Sequence, residues 1–498
     1  MTLPGTQPPF IQVIAVLPYI ELLVFGILIL LVSALSRGRN LRLVQLLTFA
    51  GLASAAYSSL SLWEQGRLQF DQSHMVVMDN TSVYVLTLLC IGGLLTALTA
   101  TNFVTRQEKL RGEFYALILF CIIGMGVLAS TLDLIVLFLA VELLSIGLYV
   151  LAGFDREKLF SNEAALKYFI LGSFSSAFLL LGIALLFGAS NGTTDIAQML
   201  SAQPSPYLSL ESFTVNTWPL STVGWSLVLV GMAFKMALVP FHVWTPDVYQ
   251  GAPTPVTAFM SVGVKAAALT ALLRIMVATD LFAIEKWSTM LATLAILTMT
   301  VGNVIAIAQN SLKRMLAYSS IAHAGYLVLG VVAGGDPGMV SKYMGYQAIL
   351  FYLAAYTFMN LGAFAFVIYA GADGDLSLDR CKGLGFRHPI PAAAMAIFML
   401  SLAGIPPTMG FLAKIYLFQS VVAAGDTGLA VIAVLNSVVA VYYYLRVVVM
   451  MYMHESPEEK TVTDKSRGLL LAVCGCALVT LLLGIFPAAV IKIVQMCS

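Results

Sequence analysis

The composition of this chain is that of a membrane protein. Of its 498 residues, 60% are hydrophobic and only 10% are charged, and the formal net charge is +1. A soluble globular protein needs far more charge on its surface, so that class is excluded. No nucleic-acid partner is expected. The six cysteines are scattered without the spacing of a metal or iron–sulfur site, which favours core packing for each of them and predicts no metal or cofactor in this chain.

Apolar segments long enough to cross a bilayer, about 20 residues each, occur about fourteen times along the chain. No Lys or Arg precedes Arg37, so the first of these segments is predicted to be a spanning helix rather than a signal peptide. We therefore expect an all-α polytopic fold with a single membrane domain over residues 1–498. The expected spans are 12–35, 41–62, 80–103, 114–131, 133–153, 163–188, 220–250, 255–277, 287–309, 315–334, 345–371, 389–424, 428–453 and 468–495.

The cations between the spans predict the orientation of the bundle. Alternate loops carry sixteen basic residues: Arg37, Arg39, Arg42, Arg106, Lys109, Arg111, Arg156, Lys158, Lys313, Arg314, Arg380, Lys382, Arg387, Lys460, Lys465 and Arg467. The opposite loops carry five: Arg67, Arg274, Lys286, Lys342 and Lys492. The positive-inside rule makes the first set cytoplasmic. Both termini, and the loop 188–223 without Lys or Arg, are then expected outside a bacterial inner membrane.

Six charged residues are predicted to lie inside the spans. They are Glu142, Lys167, Lys235, Lys265, Lys414 and Arg446. A charge at the centre of a bilayer costs about 2.5–3.5 kcal/mol on insertion scales, so each needs a reason to be there. The alternative to a functional role is a structural ion pair or a long side chain that reaches the membrane surface.

Sequence position separates these two interpretations. Lys167 lies four residues after Glu163, so a simple ion pair within one helix is an equally good explanation. Arg446 follows three tyrosines and is interpreted as structural. By helical rise, Glu142 lies about 13 Å beyond Asp133, near the middle of its span. Lys265 lies about 15 Å beyond Pro255, also near mid-depth.

Glu142, Lys235, Lys265 and Lys414 share a further property. None of these four has an opposite charge within four residues, so any partner must come from another helix. They are predicted to form an interior row.

Prolines predict that two spans are broken at membrane depth. Pro240 follows Lys235 in the seventh span, and Pro406 with Pro407 precedes Lys414 in the twelfth, where the two prolines should free the carbonyls of residues 402 and 403. Irregular backbone within a bilayer is tolerated only where it lines protein or a water-filled cavity, which indicates an ion path.

The two predicted breaks are five helices apart. This spacing predicts two inverted repeats, helices 4–8 and helices 9–13. The expected units are 1–112 with helices 1–3, 113–278 and 287–454 with the repeats, and 455–498 with helix 14.

His323 is predicted to lie between the two breaks. It follows Lys313 by ten residues, about 15 Å along a helix. A histidine titrates near neutral pH and is suited to passing protons between lysines. A lone histidine that is merely hydrogen-bonded is the alternative.

Several motifs resemble a known family. The stretches are VELLSIGLYVLAGF (141–154), NEAALKYFILG (162–172), FKMALVPFHVWTPDVYQGAPTPV (234–256), LKRMLAYSSIAHAGY (312–326) and GIPPTMGFLAKIY (404–416). They resemble the antiporter-like subunits of the proton-pumping NADH–quinone oxidoreductase, respiratory complex I, and among these the subunit N type. The resemblance covers most of the chain, from the third helix to the thirteenth.

The resemblance implies a proton relay through linked half-channels. Glu142 matches the family's helix-5 glutamate, Lys235 the helix-7 lysine that pairs with it, Lys265 the central helix-8 lysine and Lys414 the helix-12 lysine. It also implies a role for Lys167, and nothing for Arg446.

The resemblance further implies that this chain is a non-redox subunit of a translocase. NADH, FMN, iron–sulfur clusters and quinone are expected on partner subunits. Subunits M, K and J and the lipid bilayer are the expected neighbours.

The mechanism expected from these residues is electrostatic. If the Glu142–Lys235 pair opens, Lys235 should release a proton to Lys265, and from there through His323 toward Lys414. Three alternatives stay open: a self-sufficient cation/proton antiporter, a paralogous M-like subunit and a non-transporting scaffold. Glu21 and Asp133 are interpreted either as part of an outside exit or as interface and capping residues.

Overall fold

The structure is a computed structural model that describes residues 9–37, 40–70, 74–106, 111–199, 220–279, 285–334, 339–371, 376–455 and 466–497. These residues are helical apart from turns, a short 3₁₀ helix at Asp379–Cys381 and one two-stranded antiparallel hairpin, β1 (Leu68–Gln69) with β2 (Val77–Met78). The long loop 188–223 is described only in part, and Arg39, Lys109, Lys460 and Lys465 of the predicted cytoplasmic set lie outside the described residues.

Twelve of the described helices are long and apolar enough to cross a membrane, which confirms the all-α polytopic fold. They are α1 (Pro9–Leu35), α2 (Leu41–Leu60), α3 (Asn80–Thr99), α5 (Arg111–Ser130), α6 (Leu134–Ala152), α7 (Leu159–Ala189), α11 (Thr254–Thr279), α12 (Glu285–Ile307), α13 (Leu312–Gly334), α14 (Met339–Ala370), α18 (Thr427–Met453) and α19 (Arg467–Ile485).

The remaining described helices are shorter. They are α4 (Thr101–Arg106), α8 (Ile196–Met199), α9 (Leu220–Met236), α10 (Trp244–Gly251), α15 (Leu384–Arg387), α16 (Pro389–Ala403), α17 (Met409–Ala423) and α20 (Ala488–Gln495). The pairs α9–α10 and α16–α17 take the places of the seventh and twelfth expected spans. The count of fourteen spans, the inverted repeats and the unit boundaries stay predictions.

Helices α11 and α13 form the centre of the bundle. Every residue in the most apolar window of each is buried, against one third of that window in α1, α18 and α19. An outer helix meets lipid or a partner with one face, whereas a helix that is apolar all round can be enclosed on every side. The two enclosed helices carry Lys265 and His323, so both side chains lie deep within protein.

Both predicted breaks are helix ends of one type. Helix α9 ends with Ala237 in the left-handed region, at φ 60°. The N–H of Leu238 donates to the Ala233 carbonyl at 2.9 Å, and the N–H of Ala237 donates to Phe234 at 3.1 Å. This pattern is a Schellman motif.

The end of α16 repeats the motif. Gly404 takes φ 85°, the N–H of Ile405 donates to Leu400, and that of Gly404 donates to Ser401. In both cases the helix ends before the prolines, which prevent it from continuing beyond the cap. Gly410, the second residue of α17, has no room for a side chain, because a Cβ there would lie 2.1 Å from the Ser401 carbonyl oxygen.

Two cations that were expected in loops lie instead inside helices. Arg274 belongs to α11 and Lys313 to α13, and both side chains are buried. Arg274 falls within the expected span 255–277 but was counted with the loop cations because it lies near the end of that span. The helix that carries Lys313 begins at Leu312, three residues before the expected start at 315. The Lys313 ammonium donates to the carbonyl of Ala252 at 2.7 Å.

Candidate functional site

Lys235 lies in the last turn of α9, directly before the first break, and its side chain is buried. The ammonium nitrogen Nζ donates a hydrogen bond of 2.8 Å to Oγ of Ser145 on α6. The rings of Tyr149, Tyr168 and Phe234 surround the same nitrogen, with centroids 5.5–5.9 Å away. A cation over aromatic faces within about 6 Å is attracted electrostatically. The first break therefore presents a buried cation held by one hydroxyl and three rings.

Glu142 lies one helical turn before Ser145 on α6, so the two side chains share a face. The Oε1 atom of Glu142 is buried and has no hydrogen-bond partner among the described residues. The ion pair with Lys235 that the resemblance implies is not closed here, since Lys235 bonds to Ser145 instead. A buried carboxylate oxygen without a partner is costly, which makes Glu142 a group able to accept a new bond or a proton.

Lys265 lies at the middle of α11 and is fully buried. Its ammonium donates to both the carbonyl and the hydroxyl oxygen of Ser320 on α13. The Tyr356 hydroxyl donates to the same Ser320 hydroxyl at 2.9 Å, and the Tyr356 ring centroid lies 5.7 Å from Lys265 Nζ. The central lysine is thus joined directly to α13.

His323 is also on α13 and is buried. Its Nδ1 lies 2.5 Å from the hydroxyl of Tyr352, and its Nε2 lies 3.0 Å from that of Tyr444. Tyr444 also shares a hydrogen bond with Ser319. The imidazole is therefore fully hydrogen-bonded, as the alternative interpretation expected, but its partners are hydroxyls, which both donate and accept.

Lys414 lies in α17, after the second break, and is buried. Its Nζ donates to the carbonyls of Leu402 and Ala403 at 3.0 and 2.9 Å and to Oγ of Ser437 at 2.8 Å. The two carbonyls are those that the prolines were expected to free. The centroid of Tyr326 lies 5.1 Å from the same nitrogen. Lys414 is therefore held chiefly by the backbone of its own broken helix.

Helix α13 connects the second and third lysines. Ser320, His323 and Tyr326 follow one another at intervals of three residues and so lie along one face. Ser320 bonds to Lys265 at one end of this face, and Tyr326 lies against Lys414 at the other. Amines, hydroxyls and an imidazole in this order can each release and accept a proton. The structure thus places Lys265 and Lys414 at the two ends of a row of α13 side chains that includes His323, and a relay through these residues stays a prediction.

Lys167 is placed apart from this row. Its ammonium lies 2.6 Å from Oε1 of Glu163 and 2.8 Å from Oδ2 of Asp247, and its side chain is 41% exposed. It lines a polar cleft of about 360 Å³, with Arg314 paired to the other oxygen of Asp247 at 2.8 Å. The helical ion pair expected as the alternative is formed, and Lys167 is not an interior group.

The structure also assigns contacts to three residues whose roles were open. Arg446 donates to the carbonyls of Ile307 and Gln309 at the end of α12, a structural role. Asp133 caps α6 by accepting from two backbone N–H groups. Glu21 accepts from the hydroxyls of Ser54 and Ser58 on α2.

Sequence reasoning missed the hydroxyl and aromatic partners of the lysines. Ser145 and Ser320 carried a usable signal, since each lies three residues from a predicted site residue and so shares its helical face. Phe234 is the residue directly before Lys235, but Tyr149 and Tyr168 come from two other helices, and nothing in their sequence positions marks them as partners of Lys235. Within the described ranges, no group of three or more His, Cys, Asp or Glu side chains could hold a metal ion.

One buried cation, outside the row, has a permanent counter-charge. Arg274 forms two hydrogen bonds with Asp79, Nη1 to Oδ2 at 3.0 Å and Nη2 to Oδ1 at 2.5 Å, and its Nε donates to the carbonyl of Ala129. Burial raises the pKa of Asp79, but the charge and hydrogen bonds of Arg274, together with hydrogen bonds from Ser82, outweigh that effect and hold the pKa below its ordinary value of 3.8. Because the guanidinium and the carboxylate are joined by two hydrogen bonds, we interpret this pair as a structural ion pair.

Comparison with known proteins identifies relatives along nearly the whole chain. Residues 131–440 match the family model described as "NADH:quinone oxidoreductase/Mrp antiporter, TM". NADH-quinone oxidoreductase subunit N of Trichlorobacter lovleyi is 42% identical over 482 residues, which cover 96% of each chain. The same subunit of Myxococcus xanthus is 44% identical over 454 residues, which cover 85% of each.

Solved structures show the same fold. A chain of respiratory complex I from Thermus thermophilus with bound aureothin is 35% identical, with a TM-score of 0.79 over 97% of this chain and 100% of that one. A chain of the Mrp complex from Dietzia is 23% identical, with a TM-score of 0.82 over 98% of this chain and 97% of that one. At that identity, the second similarity extends to the fold alone.

Proposed function

Since the chain belongs to the NADH:quinone oxidoreductase/Mrp antiporter family, and its relatives include subunit N of NADH-quinone oxidoreductase, we propose that it is the antiporter-like subunit N of a bacterial complex I, which moves protons through a Glu/Lys/His relay. The relay residues are Glu142, Lys235, Lys265, His323 and Lys414. The observation that carries the proposal is that the single helix α13 places Ser320 against Lys265, His323 between two tyrosine hydroxyls and Tyr326 against Lys414.

The chemistry follows from charge and burial. A lysine removed from water favours its neutral form, and a nearby carboxylate favours the protonated form. Glu142 is close enough along α6 for its charge to act on the amine that Ser145 holds. Closing the Glu142–Lys235 pair therefore loads the amine with a proton. Opening it releases the proton toward Lys265 and the α13 row.

The energy must come from outside this chain. Moving one charge outward against the membrane potential costs about 2.3 kcal/mol per 100 mV. In this proposal, NADH oxidation and quinone reduction occur on partner subunits, which hold the FMN, the iron–sulfur clusters and the quinone. Subunits M, K and J are the proposed membrane neighbours, and both termini face the periplasm.

Lys167 has a separate role in this proposal. Its two carboxylate partners and the polar cleft support a position at the cytoplasmic mouth of the relay. A half-exposed ion pair contributes little to stability, so the cleft geometry and not an energetic contribution is what supports this role.

The test is a Lys235→Ala variant in the assembled complex. Quinone reductase activity and proton uptake are measured together in inverted membrane vesicles, and blue native electrophoresis checks assembly. We expect proton pumping to be lost. Lys492→Ala, at an exposed position of α20, is the matched control and should pump normally. Unchanged pumping stoichiometry in an assembled Lys235→Ala complex would overturn the proposed relay.

A further inference from the structure

The aromatic rings around Lys235 form an enclosure that the relay chemistry does not itself require. Tyr149 comes from α6, Tyr168 from α7 and Phe234 from α9, and their centroids lie 5.8, 5.9 and 5.5 Å from the ammonium nitrogen. We call these three rings the aromatic box. Since its members come from three helices, the box exists only when the three pack around Lys235.

A fourth ring fixes the box from behind. Trp244 stacks on Tyr168 with centroids 4.5 Å apart and planes 9° apart, and on Phe234 at 5.3 Å and 27°. Its indole Nε1 donates to the carbonyl of Phe234 at 3.2 Å, at the end of α9. Trp244 begins α10, beyond the break. The segment after the break therefore packs Trp244 against two of the rings that face Lys235.

The hydroxyl groups of the box do not explain its geometry. The buried hydroxyls of Tyr149 and Tyr168 have no hydrogen-bond partner among the described residues. The Tyr149 hydroxyl nevertheless packs directly against Gly172 on α7. Any larger residue at position 172 would collide with it, because a Cβ there would lie 2.0 Å from the hydroxyl oxygen. The contact that the three rings offer Lys235 is their π face, since its ammonium nitrogen lies 5.5–5.9 Å from their centroids.

We propose that the aromatic box is a second holding position for the Lys235 ammonium, occupied while the ion pair with Glu142 is open. The inference rests on the proposed proton relay. Ring faces attract a cation but cannot take its proton, so the box holds the charged amine without competing as a base. Tyr149, Tyr168 and Phe234 are positioning residues. The lysine thus exchanges between a carboxylate, whose charge can change, and a box whose charge cannot.

Graded fluorination of one ring tests this directly. Phe234 is replaced in the assembled complex by phenylalanine with one, two or three ring fluorines, which withdraw electron density from the π face at nearly constant shape. Proton pumping is measured against pH. Because a weaker box holds the protonated amine less well, we expect the pH of half-maximal pumping to fall with each fluorine, by up to about one pH unit in total.

The same series at Phe114 is the control. That ring is fully buried and packs edge-on against Phe154 at 5.2 Å, so fluorination there should leave the pH profile unchanged. A purely structural role for Phe234 would make the two series alike. A flat profile at Phe234 overturns the box.

Two further variants separate ring from hydroxyl. Tyr168→Phe keeps the ring and Tyr168→Leu removes it, so Tyr168→Leu should shift the pH profile further toward lower pH, the direction of the fluorinated series, than Tyr168→Phe does. Equal defects in both variants would assign the function to the hydroxyl and overturn the box. A Lys235→Ala complex that pumps normally would overturn the proposed relay together with the box. A flat fluorine series with an inactive Lys235→Ala complex would overturn the box alone.

Discussion

The two broken helices use the same backbone device to present a lysine, but they hold it with different chemistry. Both α9 and α16 end in a Schellman motif. Lys414 turns back onto the carbonyls of Leu402 and Ala403, two of the acceptors that every helix end leaves without an internal partner. Lys235 instead precedes its break. Its contacts are a serine hydroxyl and three rings.

The difference separates a constant site from a variable one. Backbone carbonyls keep the same partial charge in every state, so the environment of Lys414 is fixed by the fold. The environment of Lys235 includes Glu142, on the same face of α6 as Ser145, and the charge of a carboxylate changes when it gains a proton or a partner. In the proposed relay, the lysine that precedes its break, Lys235, is therefore the one whose proton affinity we expect to respond to a change in a neighbouring charge.

The strongest test of this contrast is to keep a charge at position 414 that cannot be lost. Arginine holds its proton at any physiological pH, so Lys414→Arg retains the cation and removes its ability to release a proton. We expect an assembled complex whose proton pumping is abolished, measured as protons per NADH in vesicles. Normal pumping would show that Lys414 is a structural cation, and the two breaks would then differ in function as well as in chemistry.

The Asp79–Arg274 pair provides the opposite case, a buried cation that should matter for stability alone. Asp79→Asn leaves Arg274 buried without its counter-charge, which is expected to cost about 3–5 kcal/mol. We expect a lower unfolding temperature of the subunit in the detergent-solubilised complex. Asp426→Asn is the control, because that exposed carboxylate makes no capping hydrogen bond. An unchanged unfolding temperature for Asp79→Asn would contradict a structural role.

The same pair gives a pH dependence with a definite sign. The pKa of Asp79 is lower in the folded protein than its ordinary value of 3.8, because Arg274 and the hydrogen bonds from Ser82 together outweigh the effect of burial. The stability from this pair is therefore fully present above about pH 4 and is lost as the pH falls through the lowered value. Thermal unfolding between about pH 6 and pH 3 should show this loss in the parent, and the Asp79→Asn variant should lack that component.

The general fold and three of the buried lysines, Lys235, Lys265 and Lys414, could be predicted from the sequence, whereas the buried Lys313 was expected in a loop. Hydropathy alone sets the spans, since about 20 apolar residues are needed to cross a bilayer. Prolines placed both interruptions correctly, and the carbonyls of Leu402 and Ala403 were identified as freed acceptors. These features are local, because each depends on residues close together in the chain.

The contacts around the lysines could not be predicted in the same way. Tyr149, Tyr168 and Phe234 meet at Lys235 only because three helices pack together. Arg274 was counted with the loop cations, and its partner Asp79 lies 195 residues away, so sequence position could not show that the two form an ion pair. Hydropathy also cannot separate a half-exposed cleft from a buried interior, which is why Lys167 was expected among the interior groups.

A paired substitution gives the finest test of the contrast between the two breaks. Among the described residues, Ser145 is the only hydrogen-bond acceptor of Lys235, whereas Lys414 keeps two carbonyls when Ser437 is removed. A hydrogen bond to a charged group contributes about 1.5–3 kcal/mol, so Ser145→Ala should weaken the hold on the protonated amine roughly ten- to a hundredfold. Ser437→Ala should cost less than about 1 kcal/mol, since two acceptors remain.

The measurement for this pair is the pumping rate against pH in the assembled complex. Ser145→Ala should move the profile to lower pH, and Ser437→Ala should leave it nearly unchanged. Equal shifts would mean that the carbonyls of α16 do not fix Lys414 more firmly than a hydroxyl fixes Lys235. In that case it would not matter whether a lysine precedes its helix break, as Lys235 does, or follows it, as Lys414 does. The contacts with partner subunits would then have to identify which of the two lysines receives the signal from the rest of the complex.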